Sequence, residues 1–185
     1  TSRNIAAARA KGAYFAFMDA KCQPQASWLS ELFAICGEKD SIVAGQYRLN
    51  YQSDALRDKV YGMLYLNNEK NILKGYGVTS GNLIVHRKIF NAVGPFRDSA
   101  ISGNDIEWSL RALNFGFTIA YAPKAIIDYP AQSWNALSSS IKKYAAGVAL
   151  IDQKKKTMIN AFLPLRLSTF TSHLTNRNLR NMSIW

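Results

Sequence analysis

The sequence is poor in the residues that build metal and disulfide sites. In 185 residues it has two cysteines, Cys22 and Cys36, and two histidines, His86 and His173. One pair of cysteines excludes a four-cysteine zinc site and a disulfide scaffold, and it suits a reducing, cytoplasmic compartment. The histidines lie far apart without metal-ligand spacing, so each is expected to be structural. No run of eighteen apolar residues occurs, which excludes a transmembrane helix of the ordinary kind. The chain opens on Thr1 without the basic-then-apolar order of a signal peptide, as expected of a fragment or a processed chain.

Acids are scarce too: 12 Asp and Glu against 23 Lys and Arg, for a net charge of +11. The excess is uneven. Residues 142–185 carry eight basic side chains and one acid, Asp152, whereas residues 1–141 carry fifteen and eleven. The run Lys154-Lys155-Lys156 has no helix-turn-helix or RNA-binding pattern beside it, so nucleic acid is not an expected partner and a solvated helix end is the default.

What is present is a core. Hydrophobic residues make up 48% and charged residues 19%, the balance of a globular chain long enough for one domain. An alanine-rich stretch at 2–11 reads as a helix with Ser2 as N-cap, ended by Gly12. The apolar run 13–18 reads as a strand buried on both faces of a parallel sheet. Further helices are expected at 28–36, 54–73, 87–93, 105–114 and 133–153, and strands at 42–49 and 83–86. Short edge strands are expected at 118–121 and 125–128 around Pro123. Strands interleaved with helices make the class α/β.

Two acids stand where chemistry is expected. Ligands of an open α/β sheet bind beyond the carboxyl ends of its strands, and Asp19 follows directly on one. The alternative is an Asx turn with no ligand. In Gly103-Asn104-Asp105-Ile106-Glu107-Trp108, the two acids are two residues apart and point in different directions on a helix; Asp105, at its start, faces the cleft. The plain alternative is that Asp105 caps the helix, since acids favour the first turn. The loop Gly75-Tyr76-Gly77 lacks dinucleotide spacing, and no helix follows it as a phosphate-binding loop would require.

Taken in order, five segments carry more. Arg3-Asn4 through Gly12, Phe17-Met18-Asp19-Ala20-Lys21-Cys22 and Trp28-Leu29 resemble the surroundings of the Asp-x-Asp motif of family 2 glycosyltransferases. Ser80-Gly81-Asn82-Leu83-Ile84-Val85 is similar to that family's Gly-Asn strand, Gly94-Pro95-Phe96 to its Gly-Gly-Phe turn, and Asn104-Asp105-Ile106-Glu107-Trp108 to its Glu-Asp motif. The resemblance implies a GT-A-type mixed sheet flanked by helices, with residues 1–150 as the acceptor-side, C-terminal part of the domain. The nucleotide-base half would lie upstream, and residues 151–185 would form a basic, partly apolar tail.

The activity implied is inverting transfer of a sugar from a nucleotide sugar to a sugar or lipid-linked acceptor hydroxyl, in polysaccharide or glycolipid synthesis. Asp105 would be the catalytic base. Asp19, Lys21 and Arg3 would hold the donor diphosphate, and Gly81, Asn82, Asn104 and Glu107 would lie on the acceptor side. A scaffold domain of the same fold without catalysis is the competing expectation. The motif departs from the family at three positions: Lys21 replaces the second acid, Asn104 replaces Glu, and Tyr129 follows Asp128 where a metal-side His often stands. An ammonium cannot ligate Mg²⁺ or Mn²⁺, so no bound metal is expected, although relatives use one. A lysine does bind phosphate as a point charge. The tail at 154–167 mixes basic and apolar residues, a composition that rests on the inner face of an anionic membrane or packs on the domain. With the upstream strands absent, strand 13–17 would be an open edge, and a homo-oligomer is expected.

Overall fold

The computed structural model describes residues 1–39, 41–51, 66–98, 102–130 and 143. The expected helix at 133–153, the first part of the one at 54–73, His173 and the tail at 151–185 lie outside the described residues.

Helix α1 (Ser2–Arg9) is capped by Thr1, whose Oγ1 accepts the Asn4 amide at 3.3 Å. The cap therefore sits one residue before the expected Ser2, and both are hydroxyl residues suited to it. Then come β1 (Tyr14–Met18), the two-residue β2 (Gln23–Pro24), α2 (Trp28–Lys39), β3 (Ile42–Asn50) and α3 (Asn68–Leu73). The chain continues through β4 (Asn82–His86), α4 (Arg87–Val93), α5 (Asn104–Asn114) and β5 (Ile119–Pro130). The α/β class holds.

The five strands form one mixed sheet in the order β1-β4-β3-β5-β2. Only β3 and β5 run parallel; the other pairs among the described residues are antiparallel. Two expectations are corrected here. Strand β1 is an antiparallel edge strand, and of its five residues only Phe15 is fully buried. A continuous apolar run reports that both faces touch something but not which partner lies beside it. The two edge strands around Pro123 are instead one twelve-residue inner strand. Its register against β3 shifts between Gly45 and Gln46, which oppose Ala122 and Ile126. Pro123 falls in that bulge, where its missing N–H costs no ladder bond.

Alternation along the strands sends side chains into two cores. Ile42, Ala44, Leu83 and Val85 join Phe15, Phe90, Phe96 and Trp108 under α4 and α5, while Val43 and Ile84 join Leu32 and Cys36 under α2. Strand β4 and the first half of β3 are thus apolar on both faces, whereas from Gln46 on β3 alternates exposed and inward residues. His86 is structural as expected: its Nδ1 caps α4 by accepting the Lys88 amide at 3.0 Å, and its ring stands edge-on to Tyr14. At the far end of α4, Trp108 Nε1 donates to the Gly94 carbonyl at 2.8 Å, and Arg111 donates to the carbonyls of Val93 and Pro95. The Gly94-Pro95-Phe96 turn is clamped by α5.

Candidate active site

Register assembles the site. Met18 opposes Asn82, so the next residue, Asp19, is carried alongside Gly81, whose carbonyl accepts the Asp19 amide at 3.3 Å. The approach is close enough to demand glycine. A Cβ on Gly81 would lie 2.8 Å from the Asp19 carboxyl and 2.9 Å from the Tyr47 hydroxyl.

Asp105 arrives from the other side. Helix α5 begins after Gly103, which adopts φ 77° and offers no side-chain cap. Asp105 in the first turn accepts the Ser80 amide at 3.2 Å through Oδ2 and the Ile106 amide at 2.9 Å through Oδ1. The positive end of the helix favours its charge. Asp19 and Asp105, 86 positions apart in sequence, therefore meet at the consecutive residues Gly81 and Ser80. Arg3 links Asp19 to the residue before Asp105: one guanidinium nitrogen lies 3.8 Å from Asp19 Oδ1, another donates to Asn104 Oδ1 at 3.3 Å, and the group rests over the Phe96 ring.

Beneath the two carboxylates lies Tyr47, which sequence reasoning did not single out. Its hydroxyl shares a 2.7 Å hydrogen bond with Thr79 Oγ1. Burial pushes the phenol pKa well above its ordinary value; the Thr79 bond opposes this, while the charges of Asp19 and Asp105 add to it. Tyr47 stays protonated at neutral pH. Buried Asn68 supports the pair by donating to the Gly45 carbonyl at 2.9 Å. A tyrosine closing an alternating strand was the available signal; its partners lie more than twenty residues away.

Lys21 is exposed, and its ammonium sits 4.2 Å from the centre of the Tyr129 ring. Tyr129 in turn meets Tyr47 edge-on at 5.8 Å. Cys22, next in sequence, is buried, and its thiol pKa is pushed up to about 11 by burial and then by Asp19, against a lowering by Lys21. It is an inert thiol.

Two predicted residues lie outside this cluster. Asn82 is fully buried and spends its whole amide inside the sheet. It donates to the Gln46 and Ala125 carbonyls at 2.9 and 3.1 Å and accepts the Trp28 indole N–H at 2.8 Å. Glu107 turns the other way, paired with Arg97 at 3.1 Å and Arg111 at 3.2 Å, where it braces the Gly94 turn.

Residues 1–94, half of the chain, match the model of glycosyl transferase family 2. The chain belongs to this family. It is 28% identical over 138 residues to the glycosyltransferase AglE of Haloferax volcanii, covering 74% of this chain and 45% of that protein. Two solved structures share the GT-A fold. TarS of S. aureus, in complex with UDP-GlcNAc, aligns at TM-score 0.57 and 14% identity over 94% of this chain and 55% of its own. The mannosyltransferase PcManGT of Pyrobaculum calidifontis, in complex with GDP-Man and Mn²⁺, aligns at TM-score 0.59 and 14% identity over 96% and 55%. The family 2 chain described here spans about half the length of these relatives. Arg3, Asp19, Lys21, Gly81 and Asn82 lie inside the matched stretch, and Asn104, Asp105 and Glu107 beyond it.

Divalent cations such as Mg²⁺ and Mn²⁺ take oxygen ligands, at a nucleotide site from one or two carboxylates together with water and substrate phosphates. Beside Asp19 stand the Arg3 guanidinium and, two residues on, the Lys21 ammonium. Among the described residues no group of three or more His, Cys, Asp or Glu is placed to hold a metal ion.

Proposed function

We propose that the protein carrying this chain transfers a sugar from a nucleotide-sugar donor to an acceptor hydroxyl, with inversion at the anomeric carbon. The observation that carries the proposal is the meeting of Asp19 and Asp105 on Gly81 and Ser80, with Arg3 linking Asp19 to Asn104, the neighbour of Asp105. Asp105 takes the acceptor proton as the acceptor oxygen bonds to the anomeric carbon. The bond from that carbon to the diphosphate breaks on the opposite side, and its electron pair leaves on the phosphate oxygen. Lys21 and Arg3 meet the charge that develops there. The nucleotide sugars printed for the two structural neighbours, UDP-GlcNAc and GDP-Man, define the donor class to test. A sugar or lipid-linked acceptor in polysaccharide or glycolipid synthesis is the partner we assign, with the basic tail resting on the membrane that holds it.

One observation favours the scaffold reading: both oxygens of Asp105 accept backbone amides, the behaviour of a helix cap. The test separates the two. Asp105→Asn in the full-length protein should cut transfer from a panel of nucleotide sugars by about 10²–10⁴, the range for loss of a general base. Its melting temperature should fall only modestly, since Asn keeps one acceptor for these backbone amides and loses the other. Unchanged transfer by this variant would remove Asp105 from the mechanism, and no transfer by the wild type with any donor or metal would establish the scaffold.

A further inference from the structure

Lys21 stands where the family motif has its second acid. Lys21 follows the acid that ends β1, and its ammonium is held 4.2 Å over the Tyr129 ring at the end of β5. It makes no ion pair with a carboxylate among the described residues. A cation seated on a ring is fixed in place without being neutralised, because the ring offers a quadrupole and no counter-charge. Its remaining donors stay open to an anion. Tyr129 is itself immobilised: it is 4% exposed, and it packs edge-on against Tyr47, whose hydroxyl lies within 2.7 Å of Thr79 beside the two carboxylates. Arg3 supplies a second cation from α1, seated in the same way over Phe96 at 5.6 Å. Two cations thus rest on aromatic rings: Arg3 of α1, 3.8 Å from Asp19, and Lys21 of the turn after β1, two residues beyond Asp19 in sequence.

We infer that this protein binds the diphosphate of its donor without a metal ion, using Lys21 as a built-in cation that Tyr129 positions. The inference rests on the transferase reading and adds to it a positioning residue, Tyr129, and a mode of charge neutralisation. Lysine meets phosphate as a point charge and needs no fixed fork geometry, so what the protein must supply is its location. The ring of Tyr129 supplies that location.

The test is calorimetric titration of the full-length protein with inorganic pyrophosphate, in EDTA and in Mn²⁺. Wild-type affinity should agree within about twofold between the two conditions. Lys21→Met, at an exposed position, should weaken binding about tenfold or more. Tyr129→Leu should weaken it about threefold to fivefold, the worth of a cation–π contact at a partly exposed site, and Tyr129→Phe, which keeps the ring, should restore it. Binding that needs Mn²⁺, or that ignores Lys21→Met, overturns the inference and leaves the transferase reading standing. So does a Tyr129→Phe variant as weak as Tyr129→Leu. No pyrophosphate binding in either condition overturns both. If Tyr129→Leu loses its cooperative melt, the Lys21→Met and Mn²⁺ arms decide alone.

Discussion

Helix α5 carries two acids into two different neighbourhoods, and the contrast between them separates scaffold from site. On one side, Glu107 is held by Arg97 and Arg111 while Trp108 and Arg111 take the carbonyls of Val93, Gly94 and Pro95. These polar groups are spent inside the protein. On the other side, Asp105 and Asp19 face a corner where Arg3 makes only long contacts of 3.3 and 3.8 Å, Lys21 is exposed, and the Ser80 hydroxyl is buried with no partner among the described residues. Groups that are saturated hold shape. Unsaturated charge kept in place is what a ligand pays to find.

The comparison can be broken by mutation, most strongly at Glu107. Glu107→Ala strands Arg111 at a site where the acid is nearly buried, and it should cost about 1.5–3 kcal/mol. That corresponds to a drop of about 4–8 °C in Tm by calorimetry, with transfer per folded molecule preserved. A variant that melts normally yet loses transfer would move Glu107 to the site. Gly81→Ala should come next. Its Cβ would overlap the Asp19 carboxyl at 2.8 Å, so Asp19 must shift, at about 1–3 kcal/mol. Here transfer should fall along with stability, and retention of full activity would show that Asp19 has room to move.

A third probe lies at the end of β5, where Arg48 hydrogen-bonds Asp128 and lowers its pKa below the usual 3.8, with Gln25 assisting. A depressed folded-state pKa contributes stability that is present above the unfolded value and is lost as pH falls through the folded one. The Tm advantage of wild type over Asp128→Asn should therefore be full at pH 5–7 and shrink below 3.8. An advantage that does not change with pH would assign the effect to packing. The smallest effect is expected at Ser80. Ser80→Ala removes a buried hydroxyl with no partner among the described residues, so stability should stay within about 0.5 kcal/mol of wild type or rise slightly. A loss beyond 1 kcal/mol would reveal a partner that the Ser80 hydroxyl holds in solution.

The sequence announces the elements whose evidence is local. Helix α4 falls at 87–93 as its apolar spacing requires, and Gly103 and Gly116 bracket α5. The meeting of Asp19 with Asp105 was also legible, because both follow from the order of short motifs. Pairing was not. The run Tyr14-Phe15-Ala16-Phe17-Met18 does not encode whether its neighbour is parallel, and Pro123 reads as a break when nothing indicates that Gly45 across the ladder lets the strand bulge past it. Tyr47 and Asn68 escaped for the same reason, since each matters through residues distant in sequence, and Tyr129 was noticed only for the His it replaces. Asn82 was noticed for a ligand and turned out to be occupied by the sheet.

That occupation has a consequence for how the chain is made. Asn82 joins Trp28, Gln46 and Ala125 at one point, and Gly45 must lack a side chain to admit it, since a Cβ there would lie 2.5 Å from the Asn82 amide. Strand β3 waits for β5 to supply its parallel neighbour across more than seventy intervening residues. Contacts of such separation form late, after their loop-closure entropy has been met. During synthesis β4 can pair with β1 and β3 as soon as it emerges, whereas β3 gains its parallel partner only when residue 130 has cleared the exit tunnel. Until then β3 carries an open edge, so a translational pause placed before β5 would prolong its exposure to chaperones, and one placed after it would let the sheet close.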